Sequence, residues 1–210
     1  TDLRDFRQEY SDSGLDESKL PGDPVKLFDQ WLKDAITKGV TEPNSMTLAT
    51  AGSDCRPDAR VVLLKEISDG NFVFYTNYES KKGADLNENP WASAVFLWLE
   101  LFRQVRVSGR VEKVSPVVSD EYFLARPRGS QISAVVSPQS RPVSRQEMEH
   151  AFIDAQRKLK GKSIRRPDNW RGYQIIPDSN EFWHGRESRL HDRLVYQKTD
   201  RGWKLKRLAP

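Results

Sequence analysis

The run Arg189-Leu190-His191-Asp192-Arg193 places three potential cations within five residues. Read as a strand, it puts Arg189, His191 and Arg193 on one face and Leu190 and Leu194 on the other. Like charges side by side in a sheet repel, so such a face calls for a bound anion or for acidic neighbours. A solvated face with a structural ion pair to Glu181 fits the same pattern. Ser80-Lys81-Lys82 is a second cluster, in which Ser80 suits a helix N-cap. Lysines in a first helical turn oppose the helix dipole, whereas exposed N–H groups beside lysines cradle phosphate. Tyr122, Arg126 and Ser130 form a third. The first two share a helix face, and Pro127 stops that helix so that Ser130 caps the next. Each cluster also reads as ordinary solvated or capping chemistry; their common functional theme is anion recognition.

Arg60 and Lys65 bracket Val61 to Leu64, and on a regular strand their odd spacing sends them to opposite faces, toward different anions. Glu181-Phe182-Trp183-His184-Gly185 adds aromatic surface suited either to the core or to a flat ring beside a phosphate. Gln104 stands on the polar face of a strand bearing Val105, Val107 and Val111, where its amide can meet a heteroaromatic ring. His150, His184 and His191 have no zinc-ligand spacing, and neither a dinucleotide nor a P-loop glycine pattern occurs, so no metal site is expected.

The elements that must position these groups follow from periodicity. Residues 1–22 are polar and read as an arm without its own core; residues 23–210 read as one domain. Asp23 caps a helix with Pro24 at its first position, and Val25, Phe28, Trp31, Leu32, Ala35 and Ile36 recur on one face up to Gly39. The period then changes to two, giving strands at Met46–Ala51, Arg60–Ile67, Phe72–Asn77, Ala92–Trp98 and Gln104–Val114. A short helix at Ser80–Asn89 interrupts them. Helices follow at Ser115–Ala125, Gln131–Val136 and Arg145–Leu159, then a basic loop at Lys158–Arg166. Final strands are expected at Tyr173–Ile176, Arg189–Tyr196 and Trp203–Leu208. This order predicts an α+β fold built on a mostly antiparallel barrel.

The chain has 34 basic and 30 acidic residues, a net +4 that does not choose among nucleic acid, membrane surface and small phosphates. Cys55 is the sole cysteine, which excludes an internal disulfide and suits a reducing compartment. Apolar stretches are far too short to span a membrane, and the first thirty residues are too charged for a signal peptide. A cytoplasmic protein is expected.

Taken in order, Arg60-Val-Val-Leu-Leu-Lys65, Phe74-Tyr-Thr-Asn77, Arg103-Gln-Val-Arg106, Tyr122-Phe with Arg126-Pro-Arg-Gly-Ser-Gln131, Ser137-Pro-Gln-Ser140, Glu181-Phe-Trp183, Arg189-Leu-His-Asp-Arg193 and Arg207-Leu-Ala-Pro210 resemble the successive motifs of pyridoxine 5'-phosphate oxidases. The resemblance runs from about Arg7 to the last residue. It implies a split β-barrel that dimerises and holds FMN in clefts between subunits. It implies oxidation of pyridoxine or pyridoxamine 5'-phosphate to pyridoxal 5'-phosphate, with oxygen as acceptor.

Carried over by position, the resemblance assigns Arg60 and Lys82 to the FMN phosphate, with Lys81, Gln139 and Ser140 in support. Val61, Leu63, Leu64 and Lys65 belong to the same cofactor segment, and Tyr75, Thr76, Gln104, Trp183 and Arg193 contact other parts of the flavin. Lys65, Tyr122, Arg126 and Ser130 bind the vitamin phosphate. Arg189 and His191 sit over its pyridine ring as the catalytic pair, and Arg7 and Tyr10 match an arm that closes over the substrate. Departures from the family pattern are Lys81 for Arg, Ser133 and Arg171 for Gly, Pro138 for a polar residue and His184 for Gln. Two other readings are a split-barrel reductase or non-catalytic flavin binder, and a nucleic-acid module using the basic loop. The set Lys65, Tyr122, Arg126 and Ser130 argues against the former, and the dispersal of basic residues against the latter.

Overall fold

The computed structural model describes residues 2, 3, 10 and 14–210. Among these, nine strands form one antiparallel sheet with five helices around it: α1 (Pro24–Lys38), β1 (Ser45–Ala51), β2 (Pro57–Leu63), β3 (Glu66–Ser68), β4 (Asn71–Asn77), α2 (Lys81–Glu88), β5 (Trp91–Trp98), β6 (Arg103–Lys113), α3 (Pro116–Ala125), α4 (Arg128–Val136), α5 (Arg145–Lys158), β7 (Trp170–His184), β8 (Asp192–Thr199) and β9 (Gly202–Leu208). This is the α+β class expected. Strand order runs β2-β1-β5-β6-β7-β4-β3, with β8 on β7 and β9 on β8.

The fifteen-residue β7 organises the sheet. One edge pairs with β6 along its length; the other is divided between β4, opposite Trp170–Ile175, and β8, opposite Ser179–His184. The expected strand Tyr173–Ile176 covers only the first half, because Pro177 and the polar run after it carry no alternating pattern. The register shifts at Ser108/Gly109, opposite Pro177, a bulge where proline's missing N–H is tolerated. The expected strand Arg60–Ile67 is also two elements. Leu64 donates its N–H to the Asn44 carbonyl and Lys65 to the Val73 carbonyl, so the chain steps from β1 toward β4 between them.

Helix α1 starts as expected, with the Asp23 carboxylate accepting from Val25 N–H at 2.9 Å and Pro24 in the first turn. It ends at Gly39 in the left-handed region. Leu27, Phe28, Trp31 and Ala35 are buried against Phe72, Phe96, Trp98 and Phe182, with rings meeting edge-on. Ile36, expected on the buried face, is 59% exposed because it lies one residue beyond the Phe28–Ala35 stripe. The described part of the arm is not free of the core either. Leu15 and Leu20 pack on it, and the Tyr196 hydroxyl donates to the Pro21 carbonyl at 2.7 Å. Among the described residues no helix is long and apolar enough to cross a membrane.

Candidate functional site

A cavity of about 770 Å³ opens between β2, β4, the start of α2 and the α3–α4 corner. At one end, Ser80 caps α2, its Oγ accepting from Gly83 N–H. Lys82, only 7% exposed, points its ammonium at the hydroxyls of Thr76 and Ser80, 3.3 and 3.4 Å away. Among the described residues it forms no ion pair, and burial, then the neighbouring Arg60 charge, lowers its pKa. Arg60 lies beside it. The Arg60 guanidinium donates to Thr50 Oγ1 at 2.7 Å, to the Leu48 carbonyl at 3.2 Å and to Asp58 at 2.6 Å. Lys81, which also lines the cavity, pairs with Asp85 at 2.5 Å.

The loop bearing Gln139 and Ser140 closes this end. Gln139 Oε1 accepts from Asn77 N–H and the Thr76 hydroxyl, and Ser140 Oγ accepts from Lys81 N–H at 3.1 Å. A buried ammonium, an arginine and the first turn of a helix converge here, a donor set suited to a phosphate dianion.

The opposite wall is aromatic. Tyr75 and Tyr122 stack at 3.9 Å between centroids, and both rings lie nearly parallel to Trp170. Burial, followed by nearby acidic groups, pushes the Tyr75 phenol up to about 12, so it stays neutral. Arg126 lies over Trp170 at 4.4 Å, and one of its terminal nitrogens is buried without a hydrogen-bond partner among the described residues. An unsatisfied buried guanidinium nitrogen is costly and calls for an acceptor. Ser130 and Lys65 line the same cavity. Ser130 does not cap a helix, contrary to expectation: α4 begins at Arg128 after Pro127, so Ser130 is inside its first turn. The proline both ends α3 and opens α4, which leaves the serine no capping position to fill.

The cavity therefore gathers Arg60, Val61, Leu63, Lys65, Tyr75 and Thr76 from the first half of the barrel, with Lys81, Lys82, Tyr122, Arg126, Ser130, Gln139 and Ser140 from the helices and loops. Arg60 and Lys65 face one cavity rather than opposite sides, since the strand that would have separated them breaks between β2 and β3. Leu64 lines no part of it; its side chain is in the core. Trp170 and Asp58, which sequence reasoning missed, also line the wall. Trp170 follows the basic loop, where no periodicity marks it.

A second group lies elsewhere on the protomer. Gln104 pairs with Trp183 and Trp183 with Arg193, so the three stand in a row across β6, β7 and β8. The His191 ring is 4.7 Å from Trp183, and Tyr10 packs edge-on against Trp183, His191 and Phe102. His191 Nδ1 accepts from Arg186 N–H at 3.1 Å, which places the proton of a neutral ring on Nε2. Arg189 and His191 are not on a strand face with Arg193: β8 starts only at Asp192, and Arg189 ends a 3-10 turn with positive φ. Arg189 is exposed, whereas Arg193 is tied to buried Glu181 at 2.9 Å. The charge repulsion expected on one face is thus avoided by a turn and an ion pair. Arg7 lies outside the described residues.

Residues 32–155 match the family described as pyridoxamine 5'-phosphate oxidase, and residues 170–210 match the pyridoxine 5'-phosphate oxidase C-terminal dimerisation region. The chain belongs to the pyridoxamine 5'-phosphate oxidase family. It is 50% identical over 210 residues to a pyridoxine/pyridoxamine 5'-phosphate oxidase of Bacteroides thetaiotaomicron, covering 99% of each chain. A Burkholderia lata protein of the same name is 48% identical over the full length of both. Among solved structures, PhzG from Burkholderia lata 383, in complex with tetrahydrophenazine-1-carboxylic acid, aligns with a TM-score of 0.88 at 31% identity, over 94% of this chain and 98% of that one. An FMN-binding protein from Nostoc punctiforme shares the fold, with a TM-score of 0.73 at 15% identity, over 91% and 99%.

The fold is the FMN-binding split barrel of this family, and FMN is the cofactor. The residues present fit it: a phosphate-sized cluster of donors ends a cavity that also carries the aromatic wall of Tyr75, Tyr122 and Trp170. The second group of residues falls mostly inside the matched dimerisation region, consistent with a homodimer.

Proposed function

We propose that this protein oxidises pyridoxine 5'-phosphate and pyridoxamine 5'-phosphate to pyridoxal 5'-phosphate, with dioxygen as acceptor and hydrogen peroxide as product; the amine also releases ammonia. The observation that carries the reading is that one cavity gathers Arg60 beside Lys82, Arg126 stacked over Trp170, and Lys65, enough cations for two phosphorylated ring compounds. Bound FMN supplies the hydride-accepting chemistry.

The flavin phosphate is assigned to Arg60, Lys82 and the start of α2, with Gln139 and Ser140 shaping the loop above it. Lys65, Tyr122, Arg126 and Ser130 are assigned to the vitamin phosphate. Holding both phosphates fixes the two rings against each other, and positioning of this kind is worth up to roughly 7–11 kcal/mol of a barrier. Gln104, Trp183, Arg189, His191 and Arg193 line no part of the cavity in their own protomer. In this reading the homodimer brings them to the partner's cavity, where Arg189 orients the pyridine ring and polarises the reacting substituent. His191, neutral with its proton on Nε2, serves as partner or proton relay, and Tyr10 with Arg7 closes the arm over the substrate. Residues 1–22 act as that arm and 23–210 as one catalytic domain.

The structural likeness to PhzG supports a second reading, a substrate such as the carboxylic acid in that complex. Higher identity to the Burkholderia lata oxidase than to PhzG from the same species favours the phosphorylated vitamer. Anaerobic addition of pyridoxine 5'-phosphate to the yellow holoprotein should bleach the flavin. Bleaching by tetrahydrophenazine-1-carboxylic acid and not by either vitamer would replace the proposal with that second reading.

A further inference from the structure

Asp85 lies on the buried side of α2, behind the phosphate end of the cavity, and only 3% of it is exposed. One carboxylate oxygen accepts from Lys81 at 2.5 Å, and the other from the Thr50 hydroxyl at 2.8 Å. The Thr50 hydroxyl has one proton, and a carboxylate only accepts, so that proton is committed to Asp85. Its lone pairs are thereby turned to Arg60, which donates to Thr50 at 2.7 Å. Arg60 also comes within 4.0 Å of Asp85 itself. The chain Asp85–Thr50–Arg60 has one consistent donor direction, and it ends on the guanidinium that faces the cavity. Burial alone would raise the Asp85 pKa, but hydrogen bonds from Lys81 and Thr50 outweigh it and hold the group ionised.

We propose that Asp85 is a positioning residue for the cofactor phosphate: it orients Arg60 through Thr50 and ties down the Lys81 ammonium, so that Arg60 and Lys82 grip the anion. Asp85 touches no ligand in this scheme. The proposal rests on the assignment of the flavin phosphate to Arg60, Lys82 and the start of α2. A guanidinium has no lone pair to offer, so the Thr50 hydroxyl keeps an oxygen lone pair on Arg60 in any case; without a fixed acceptor for its proton it would have the alternative of rotating among several such orientations. A carboxylate behind it removes that alternative, and pre-organised donors bind a charged group more tightly than donors that must first reorient.

The test compares FMN with riboflavin, which has the same ring system without the phosphate, by quenching of flavin fluorescence on addition to the flavin-free protein. Thr50→Val keeps the shape and removes the relay; it should weaken FMN by about tenfold, the size of a lost hydrogen bond to a charged group, while leaving riboflavin within about twofold. Asp85→Asn should show the same selectivity, and Thr50→Ser, which restores the hydroxyl, should recover FMN affinity. Lys82→Ala is the control on the phosphate assignment. Selective loss of FMN in Lys82→Ala with an unchanged FMN-to-riboflavin ratio in Thr50→Val would overturn the role of Asp85 alone. Equal losses of both flavins in Lys82→Ala would overturn the phosphate assignment and this proposal together. Should Asp85→Asn fail to fold, the Thr50→Val and Thr50→Ser pair decides the matter.

Discussion

The guanidinium of Arg126 lies 4.4 Å from the centroid of the Trp170 ring, with one nitrogen buried and, among the described residues, unpartnered. A planar cation stacked on indole cannot be replaced by a lysine, which keeps the charge but loses both the stacking and the fixed donor fork. Arg126→Lys should therefore raise KM for pyridoxine 5'-phosphate by about tenfold or more and leave FMN affinity near wild type. Steady-state kinetics beside a flavin titration checks this, and equal loss of both would place Arg126 in the cofactor site.

Lys65, in the same cavity, gives a parallel test. Lys65→Ala should raise the vitamer KM more than it weakens FMN, because the two phosphates are assigned to different cations. Matching losses would mean that Arg60 and Lys65, which face one cavity, serve one anion.

Arg189 is exposed in the protomer and stands in a strained turn, with positive φ at both Ser188 and itself. In the dimer reading its exposed side chain meets substrate across the interface. Arg189→Ala should slow anaerobic reduction of bound flavin by at least about a hundredfold. An unchanged rate would remove Arg189 from the reacting centre.

For His191, burial, and secondarily the charge of Arg189, hold the imidazole below its ordinary value. The folded state therefore resists its protonation. Stability tied to neutral His191 is fully present above the unfolded value of about 6.5 and falls as the pH drops through that value toward the lower folded one. Protonation at Nδ1 would also break the hydrogen bond from Arg186 N–H. Thermal melts at pH 7.5 and 5.5 should show a loss at the lower pH that shrinks in His191→Gln; an undiminished loss would assign it to other groups.

Gly109 sits at the bulge opposite Pro177, where an added Cβ would come within 2.0 Å of the Ile176 carbonyl oxygen. Gly109→Ala should cost at least about 1–3 kcal/mol in denaturant unfolding. At Gly129, in the first turn of α4, a Cβ would meet nothing within 4 Å. Gly129→Ala should instead stabilise by about 0.5 kcal/mol.

Much of the barrel is legible in the sequence because its strands alternate and its helices are capped. Asp23, Ser80 and Ser144 each cap the helix they precede. The elements that escape a sequence reading share a cause: their shape comes from partners distant in sequence. Nothing local announces that β7 runs through Pro177, since at that point only β6 holds it extended. Nor does the sequence near Arg189 reveal a turn, because the strand pattern begins to have partners only at Asp192. At the site, cations are visible as residue types, whereas Trp170, Thr50 and Asp85 acquire their roles only once β1, α2 and β7 are packed together.

Asp192 joins segments from both extremes of the described chain. Its buried carboxylate accepts from Leu15 N–H and pairs with Arg207, which in turn reaches Glu17 and the Leu15 carbonyl. Releasing β9 thus takes Arg207 from Glu17, from the Leu15 carbonyl and from Asp192 at once, and detaching the segment near Leu15 leaves Glu17 without its partner and Asp192 without the Leu15 N–H. The two should open as a single cooperative unit, with amide protons around Leu15 and along β9 exchanging at a common free energy. Tyr10, a few residues upstream and resting on Trp183 and His191, would lose its seat in the same event.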